Sequence, residues 1–386
     1  MEGHPSVNTI FFRGPLLAHS GYGVHSRQVV APLLHFAKQG AISLQLDITN
    51  WGDSSWDVSS DFARDILPFC KMTGVNPDAA VQVGLPSDFD VGFPNSIGVT
   101  AGVEATRWPE HWTVAADRMA HLVFPSEFSR SSYYGPSPSR VIPESYPDEL
   151  FSSVDGASVE SKLVLEREFY FLLVGQITGE GDLDRKAILS TISALAEEFA
   201  QDECVGVIVK ACVRRWSHYD YLQTLQSLRA AVNNLPQRCE IVFIHGQLSE
   251  REMGLLYRHK KVRAYVTATH GEGFGLPILE AAVCGLPIVA TGWSGHVEYL
   301  GDRYVNLPYI LKDVPQGCGT PNVFPSGAQW AFVEPKDVAL RCRMLIENYQ
   351  SHTESAQVLA DQLRRLHSPK FIFDQWVNFY RLVGVL

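Results

Sequence analysis

The sequence predicts an α/β protein made of two Rossmann-like domains, each a parallel sheet with helices on both faces. Three observations predict it. Short β-branched runs alternate with helix-length amphipathic segments. The alternation restarts after a polar, turn-rich stretch near the middle of the chain. The length, 386 residues, allows two or three domains, and 46% hydrophobic residues can fill substantial cores.

Asn8–Phe12 reads as the first strand, followed by a glycine-bearing loop from Arg13 to Gly23. A helix is expected from Val24 to Lys38, its apolar side formed by Val29, Val30, Leu33, Leu34 and Ala37. Further strands are expected at Ile42–Asp47, Ser96–Thr100 and His121–Phe124, with a helix starting in Pro125–Ser129 and Arg140–Pro143 closing this half. Residues 151–162 are small and polar, as in a linker. The second half opens with the apolar run Phe169–Val174 and a helix from Arg185 to Phe199. Strands follow at Val205–Lys210, Glu240–His245 and Val262–Ala268. After a glycine loop, Pro277 suits a first helical position, and Ile278–Cys284 form a short helix that stops at Gly285. Leu286–Ala290 resumes the strand pattern, and Phe371–Tyr380 is a strongly apolar helix. The expected division is a first domain at 1–150, a linker at 151–165, a second domain at 166–365 and a terminal helix at 366–386.

Composition excludes some classes. A net charge of −10 argues against a general nucleic-acid binder, whose phosphate contacts need a basic surface. The local run Arg258, Lys260, Lys261 and Arg263 reads as a solvated helix end. Seven scattered cysteines, an odd number, suggest reduced thiols. No basic-then-apolar signal opens the sequence, and no apolar run reaches the length that spans a bilayer. A cytoplasmic protein is expected.

The most informative stretch is His270-Gly-Glu-Gly-Phe-Gly-Leu-Pro-Ile-Leu-Glu280. It sets one carboxylate, Glu272, in a glycine loop and a second, Glu280, on what reads as the opening turn of a helix. Gly271, Gly273 and Gly275 let a ligand approach the backbone. A strand, a glycine loop and a helix N-terminus together form an anion site. Glu280 would repel a bare phosphate there. A ligand with a diphosphate in the middle and hydroxyls at both ends removes the conflict, and a nucleotide sugar is such a ligand.

This stretch, continuing through Gly285 and Leu286-Pro-Ile-Val-Ala-Thr291, resembles the donor-site signature of retaining glycosyltransferases of family 4, which have the GT-B fold: two Rossmann-like domains facing across a cleft, with a C-terminal helix crossing back to the first. The Glu-x7-Glu pattern matches nearly letter for letter. Val103–Trp112, Val123–Phe128, Thr291–Glu298 and Gln329–Pro335 are similar to bacterial and phage members. The resemblance implies that Glu280 binds the ribose diol and Glu272 the donor sugar. It also implies that the backbone of Gly273, Phe274, Gly275 and Leu276, with His270 opening the motif, meets the sugar and diphosphate. The first domain would hold the acceptor, and Gly21 and Gly23 of the Ser20–Gly23 loop would face the donor.

Two departures matter. Family members commonly carry an arginine after the glycine that ends the first strand of the second domain, and here that residue is Gln176. The cation on the leaving diphosphate is then expected from Lys186, with Arg185 and Lys210 in support. The histidine that members often carry near the reacting sugar is also missing, and Glu104 occupies the comparable region. The expected catalytic set is therefore Glu272, Lys186 and Glu104. Gly271-x-Gly273-x-Gly275 misses the dinucleotide spacing. Asp88-Phe-Asp90 sits in a turn context and Asp182-Leu-Asp184 in a loop, so no metal and no cofactor is expected beyond the nucleotide sugar as co-substrate. Two alternatives remain open, a nucleotide-sugar-binding partner subunit and a GT-B epimerase. No residue selects the base, the sugar or the acceptor, which could be a glycan, a lipid-linked sugar, a protein or a modified DNA base.

Overall fold

Two six-stranded sheets, parallel throughout, organise the chain. The structure is a computed structural model that describes residues 8–52, 56–70, 76–152, 163–214, 217–235, 238–318 and 322–386. It divides into two units. The first takes the chain up to Val103, Trp108–Ser145 and Pro369–Leu386; the second takes Glu104–Arg107 and Tyr146–Ser368. Of the expected linker, residues 153–162 lie outside the described residues.

The first unit contains β1 (Thr9–Gly14), α1 (Gly21–Lys38), β2 (Ser43–Ile48), α2 (Asp61–Ile66), β3 (Ala79–Val83), β4 (Ser96–Val99), α3 (Glu110–Ala116), β5 (His121–Phe124), α4 (Glu127–Ser131) and β6 (Ser139–Val141). Its sheet order is β2-β1-β3-β4-β5-β6, so strand order reverses between β1 and β3. The first helix starts at Gly21, three residues before the expected Val24. Ser20 caps it, its hydroxyl accepting from the Gly23 amide at 3.1 Å. A Cβ on Gly23 would lie 1.9 Å from the Ala18 carbonyl oxygen, so only glycine lets the helix begin this close to the loop. β3 was not among the expected strands. Two alanines and a glutamine weaken its β-signal, but all five residues are buried.

The second unit contains β7 (Phe169–Gln176), α5 (Ile188–Glu198), β8 (Val205–Cys212), α6 (His218–Val232), β9 (Glu240–Ile244), α7 (Glu250–Tyr257), β10 (Val262–Thr267), α8 (Leu276–Val283), β11 (Ile288–Thr291), α9 (His296–Leu300) and β12 (Val305–Leu307). An antiparallel ribbon, β13 (Ile310–Asp313) with β14 (Gln329–Phe332), precedes α10 (Pro335–Glu347) and α11 (Tyr349–Leu366). The sheet order is β12-β11-β10-β7-β8-β9, so the reversal falls between β7 and β10. The final helix, α12 (Pro369–Leu382), belongs to the first unit. It buries Trp376, Phe379 and Tyr380 in the same core as Ile10, Phe12, Val29 and Leu33, and the Tyr380 hydroxyl donates to the Val29 carbonyl at 2.9 Å. That burial of large apolar faces is what holds a terminal helix in place. Among the described residues, no helix is long and apolar enough to cross a membrane.

Candidate functional site

In an open parallel sheet, the loops at the carboxyl ends of the two strands flanking the reversal diverge and leave a crevice. In the second unit those loops follow β7 and β10, and they carry most of the residues singled out from the sequence. Gly275, at φ +92°, turns the chain into α8, which starts at Leu276 rather than Ile278. Glu280 is therefore the fifth helical residue, not part of the opening turn. Gly271 is also required, because a Cβ there would meet the Glu104 carbonyl oxygen at 2.3 Å. Phe274 is buried against Tyr299, whose hydroxyl donates to the Gly275 carbonyl at 2.9 Å, and this holds Gly273 to Leu276 in one conformation.

Glu272 is the centre of a charge network. One carboxylate oxygen accepts from Lys186 Nζ and from the Thr269 hydroxyl at 3.0 Å. The other lies 3.8 Å from the Arg185 guanidinium, which pairs in turn with Glu104 at 3.2 Å and donates to the Gly271 carbonyl. Burial works to raise the Glu272 pKa, but the adjacent Lys186 and Arg185 charges outweigh it, and the carboxyl is held below its ordinary value. Burial lowers the Lys186 pKa against the pull of Glu272. Glu104 reaches this cluster because Glu104–Arg107 packs with the second unit, not the first as the sequence suggested. Thr106 and Gln329 of β14 tie it there with bonds of 2.9 and 3.2 Å.

Asp184 places the two cations, and sequence reasoning missed it. Its buried carboxylate accepts from the Thr178 amide at 3.0 Å, the Thr178 hydroxyl at 3.1 Å, the Lys186 amide at 3.3 Å and the Ile188 amide at 2.8 Å. This clamp holds Ala187 at φ +49° and delays α5 to Ile188, so Arg185 and Lys186 precede the helix expected to begin with them. An aspartate four residues before an apolar helix was the available signal. The Arg185 carbonyl then accepts from the His270 amide at 2.7 Å, joining the two loops.

The remaining expected residues divide. Glu280 lies in a second cluster: it accepts from the Tyr257 hydroxyl at 3.0 Å, and Lys210 and Glu280 influence each other electrostatically. Burial raises the Glu280 pKa to about 7. Lys210 is buried in β8, which lowers its pKa. The His270 ring is spent on the ribbon, with Nδ1 2.7 Å from the Ala331 carbonyl and the ring packed on Trp330 and Phe332. Gln176 ends β7 exposed, its amide donating to the Val213 carbonyl at 2.8 Å. Gly21 and Gly23 belong to the first unit. Asp90 closes a turn, accepting from the Gly92 amide at 2.9 Å.

Comparisons with known proteins bear on the family and the fold. Residues 222–307, spanning both glutamates, match the family model described as glycosyl transferases group 1. Sucrose synthase 2 of Pisum sativum is 28% identical over 127 residues, 31% of this chain but only 15% of that protein. The structure of sucrose-phosphate synthase from Thermosynechococcus elongatus superposes with a TM-score of 0.64 at 15% identity, covering 98% of this chain and 99% of that one. Anabaena HepE, solved with UDP and glucose, gives 0.64 at 14% identity over 97% and 99%. A glycosyltransferase from Rickettsia africae gives 0.66 at 11% identity over 98% and 99%. The fold is the GT-B fold, and the chain carries a glycosyltransferase group 1 domain.

Proposed function

We propose that this protein is a retaining glycosyltransferase of the family 4 type that moves a sugar from a nucleoside-diphosphate sugar to an acceptor hydroxyl without a metal. One observation carries the reading. The loop that leads from β10 into α8 carries Glu272, bonded to Lys186 and close to Arg185, and α8 itself carries Glu280, bonded to Tyr257 and electrostatically coupled to Lys210. Helix amides and Lys186 take the diphosphate, Glu280 the ribose diol and Glu272 the sugar hydroxyls. The departing diphosphate gains negative charge, which preorganised cations stabilise. Retention follows if the acceptor attacks from the leaving-group side, with the diphosphate taking its proton. Glu104, already paired with Arg185, serves better to fix that guanidinium than as a covalent nucleophile. Similar structures solved with UDP or UDP-glucose make these the first ligands to try. Seven thiols without a disulfide suit a reducing, cytoplasmic setting.

The test is a mass-spectrometric screen of nucleotide sugars. Release of free nucleoside diphosphate from one donor supports a transferase. Binding without release would favour a partner subunit that kept the pocket, and interconversion of the sugar without release would favour an epimerase.

Two further results are expected. Glu272→Ala should lower turnover by about tenfold or more while affinity for bare UDP changes little, because its contact is with the sugar. Equal loss of UDP affinity in calorimetry for Glu272→Ala and Glu280→Ala would contradict the division of roles. Turnover should survive excess EDTA, since Asp90 already serves a turn. Loss restored by manganese would refute metal independence.

A further inference from the structure

Ser294, in the turn between β11 and α9, has φ +83°, a backbone angle that suits glycine and strains a residue with a side chain. Such strain persists where the surroundings hold the residue in place, and the contacts of the Ser294 side chain show what does so. Its buried hydroxyl accepts from the Glu272 amide at 2.9 Å, and His296 Nδ1 lies 3.4 Å away. His296 is fully buried, with Nε2 2.8 Å from the Thr291 carbonyl oxygen. A carbonyl only accepts, so Nε2 carries a proton. Burial lowers the His296 pKa and keeps the ring neutral, which leaves Nδ1 as an acceptor. The serine proton therefore turns toward His296 and a lone pair toward the Glu272 amide.

Gly295 completes the grip, its amide donating to the Glu272 carbonyl at 3.0 Å. Two consecutive residues of one turn thus hold both main-chain polar groups of Glu272. Thr291, at the end of β11, anchors both sides of this arrangement. Its carbonyl sets the His296 tautomer, and its hydroxyl donates at 2.8 Å to the carbonyl of Thr269, whose own hydroxyl donates to the Glu272 carboxylate. Glycine at 294 would remove the strain but leave the buried Glu272 amide without this acceptor. Alanine would keep the strain and lose the acceptor as well.

We propose that Ser294 is a positioning residue: its hydroxyl, oriented by His296, fixes the main chain of Glu272 and with it the aim of the carboxylate that meets the donor sugar. A reacting group misplaced by a fraction of its reach loses much of its effect, so a strained residue that fixes one is worth its strain. The donor contact rests on the transferase reading; the grip on Glu272 does not.

The test compares Ser294→Gly and Ser294→Ala with the unmodified full chain. Hydrogen exchange of the Glu272 amide, read without ligand, should quicken about tenfold or more in both variants, while the Ile208 amide in β8 exchanges as before. Release of UDP from UDP-glucose, or of nucleoside diphosphate from whichever donor the nucleotide-sugar screen identifies, should fall in kcat about tenfold or more in both. Affinity for bare UDP in calorimetry should stay within about threefold. Ser294→Gly should melt above Ser294→Ala, because it relieves the strained angle. Were the serine merely structural, turnover would follow the melts and glycine would restore it. Recovery of kcat in Ser294→Gly, loss of UDP affinity along with turnover, or unchanged Glu272 exchange would overturn the proposal. A chain that releases nucleoside diphosphate from no nucleotide sugar refutes the transferase reading instead, and the Glu272 exchange rates then decide whether Ser294 holds that residue.

Discussion

Replacing Lys186 with alanine should cut kcat about a hundredfold or more, because a preorganised charge on the leaving group is commonly worth that much. Gln176 carries no charge and its amide is bonded to the Val213 carbonyl, so it cannot take the arginine's place. Lys186 is placed before any ligand arrives: Asp184 fixes its backbone and Glu272 its ammonium. In a partly desolvated site such a charge acts far more strongly than in water. Charge on the departing oxygen grows toward the transition state, so the loss belongs in kcat more than in donor KM. Removing Lys186 also leaves Glu272 with less compensation, so thermal melts must accompany the kinetics. Gln176→Arg, at an exposed strand end, should be tolerated or mildly activating. Near-normal kcat in Lys186→Ala with a collapse in Lys210→Ala would move the diphosphate to the Glu280 cluster.

Glu280→Ala should weaken nucleoside diphosphate binding about tenfold or more, since charged hydrogen bonds to two hydroxyls are lost. A pH dependence accompanies it. Burial raises the free Glu280 carboxyl to about 7, and the ionised form is the one that accepts from both ribose hydroxyls. Below that value the site must release a proton to bind, so affinity should rise between roughly pH 6 and 8 and then level off. The nucleotide's own phosphate titrates nearby, so the slope is judged against Glu280→Gln, in which the carboxyl contribution is absent. Parallel pH profiles, or unchanged UDP affinity in Glu280→Ala, would remove the ribose assignment.

The alternation of strands and helices was legible because its periodicities are local. β7, β8 and β10 read directly as apolar runs, and α12 announced itself by its aromatic face. Helix starts were less legible, because close backbone approach and side-chain clamps decide them. Gly23 against the Ala18 carbonyl moved α1 earlier, and the Asp184 carboxylate moved α5 later. Glu272 and Glu280 were legible through an eleven-residue motif. Lys186, Arg185 and Glu104 were legible as candidates, but their pairing was not: Lys186 meets Glu272 across 86 positions of sequence, and Arg185 meets Glu104 only because a four-residue segment packs with the second unit. His270 read as part of a ligand loop, yet its ring is held by the β13/β14 ribbon, a tertiary contact with no local signature.

We expect the β7/β10 crevice of the second unit to bind the nucleotide sugar. A crystal structure of the chain with UDP tests it most directly. Ribose hydroxyls should lie on the Glu280 carboxylate and the diphosphate at the start of α8 beside Lys186. UDP bound elsewhere, or in this crevice with its ribose away from Glu280, would contradict it.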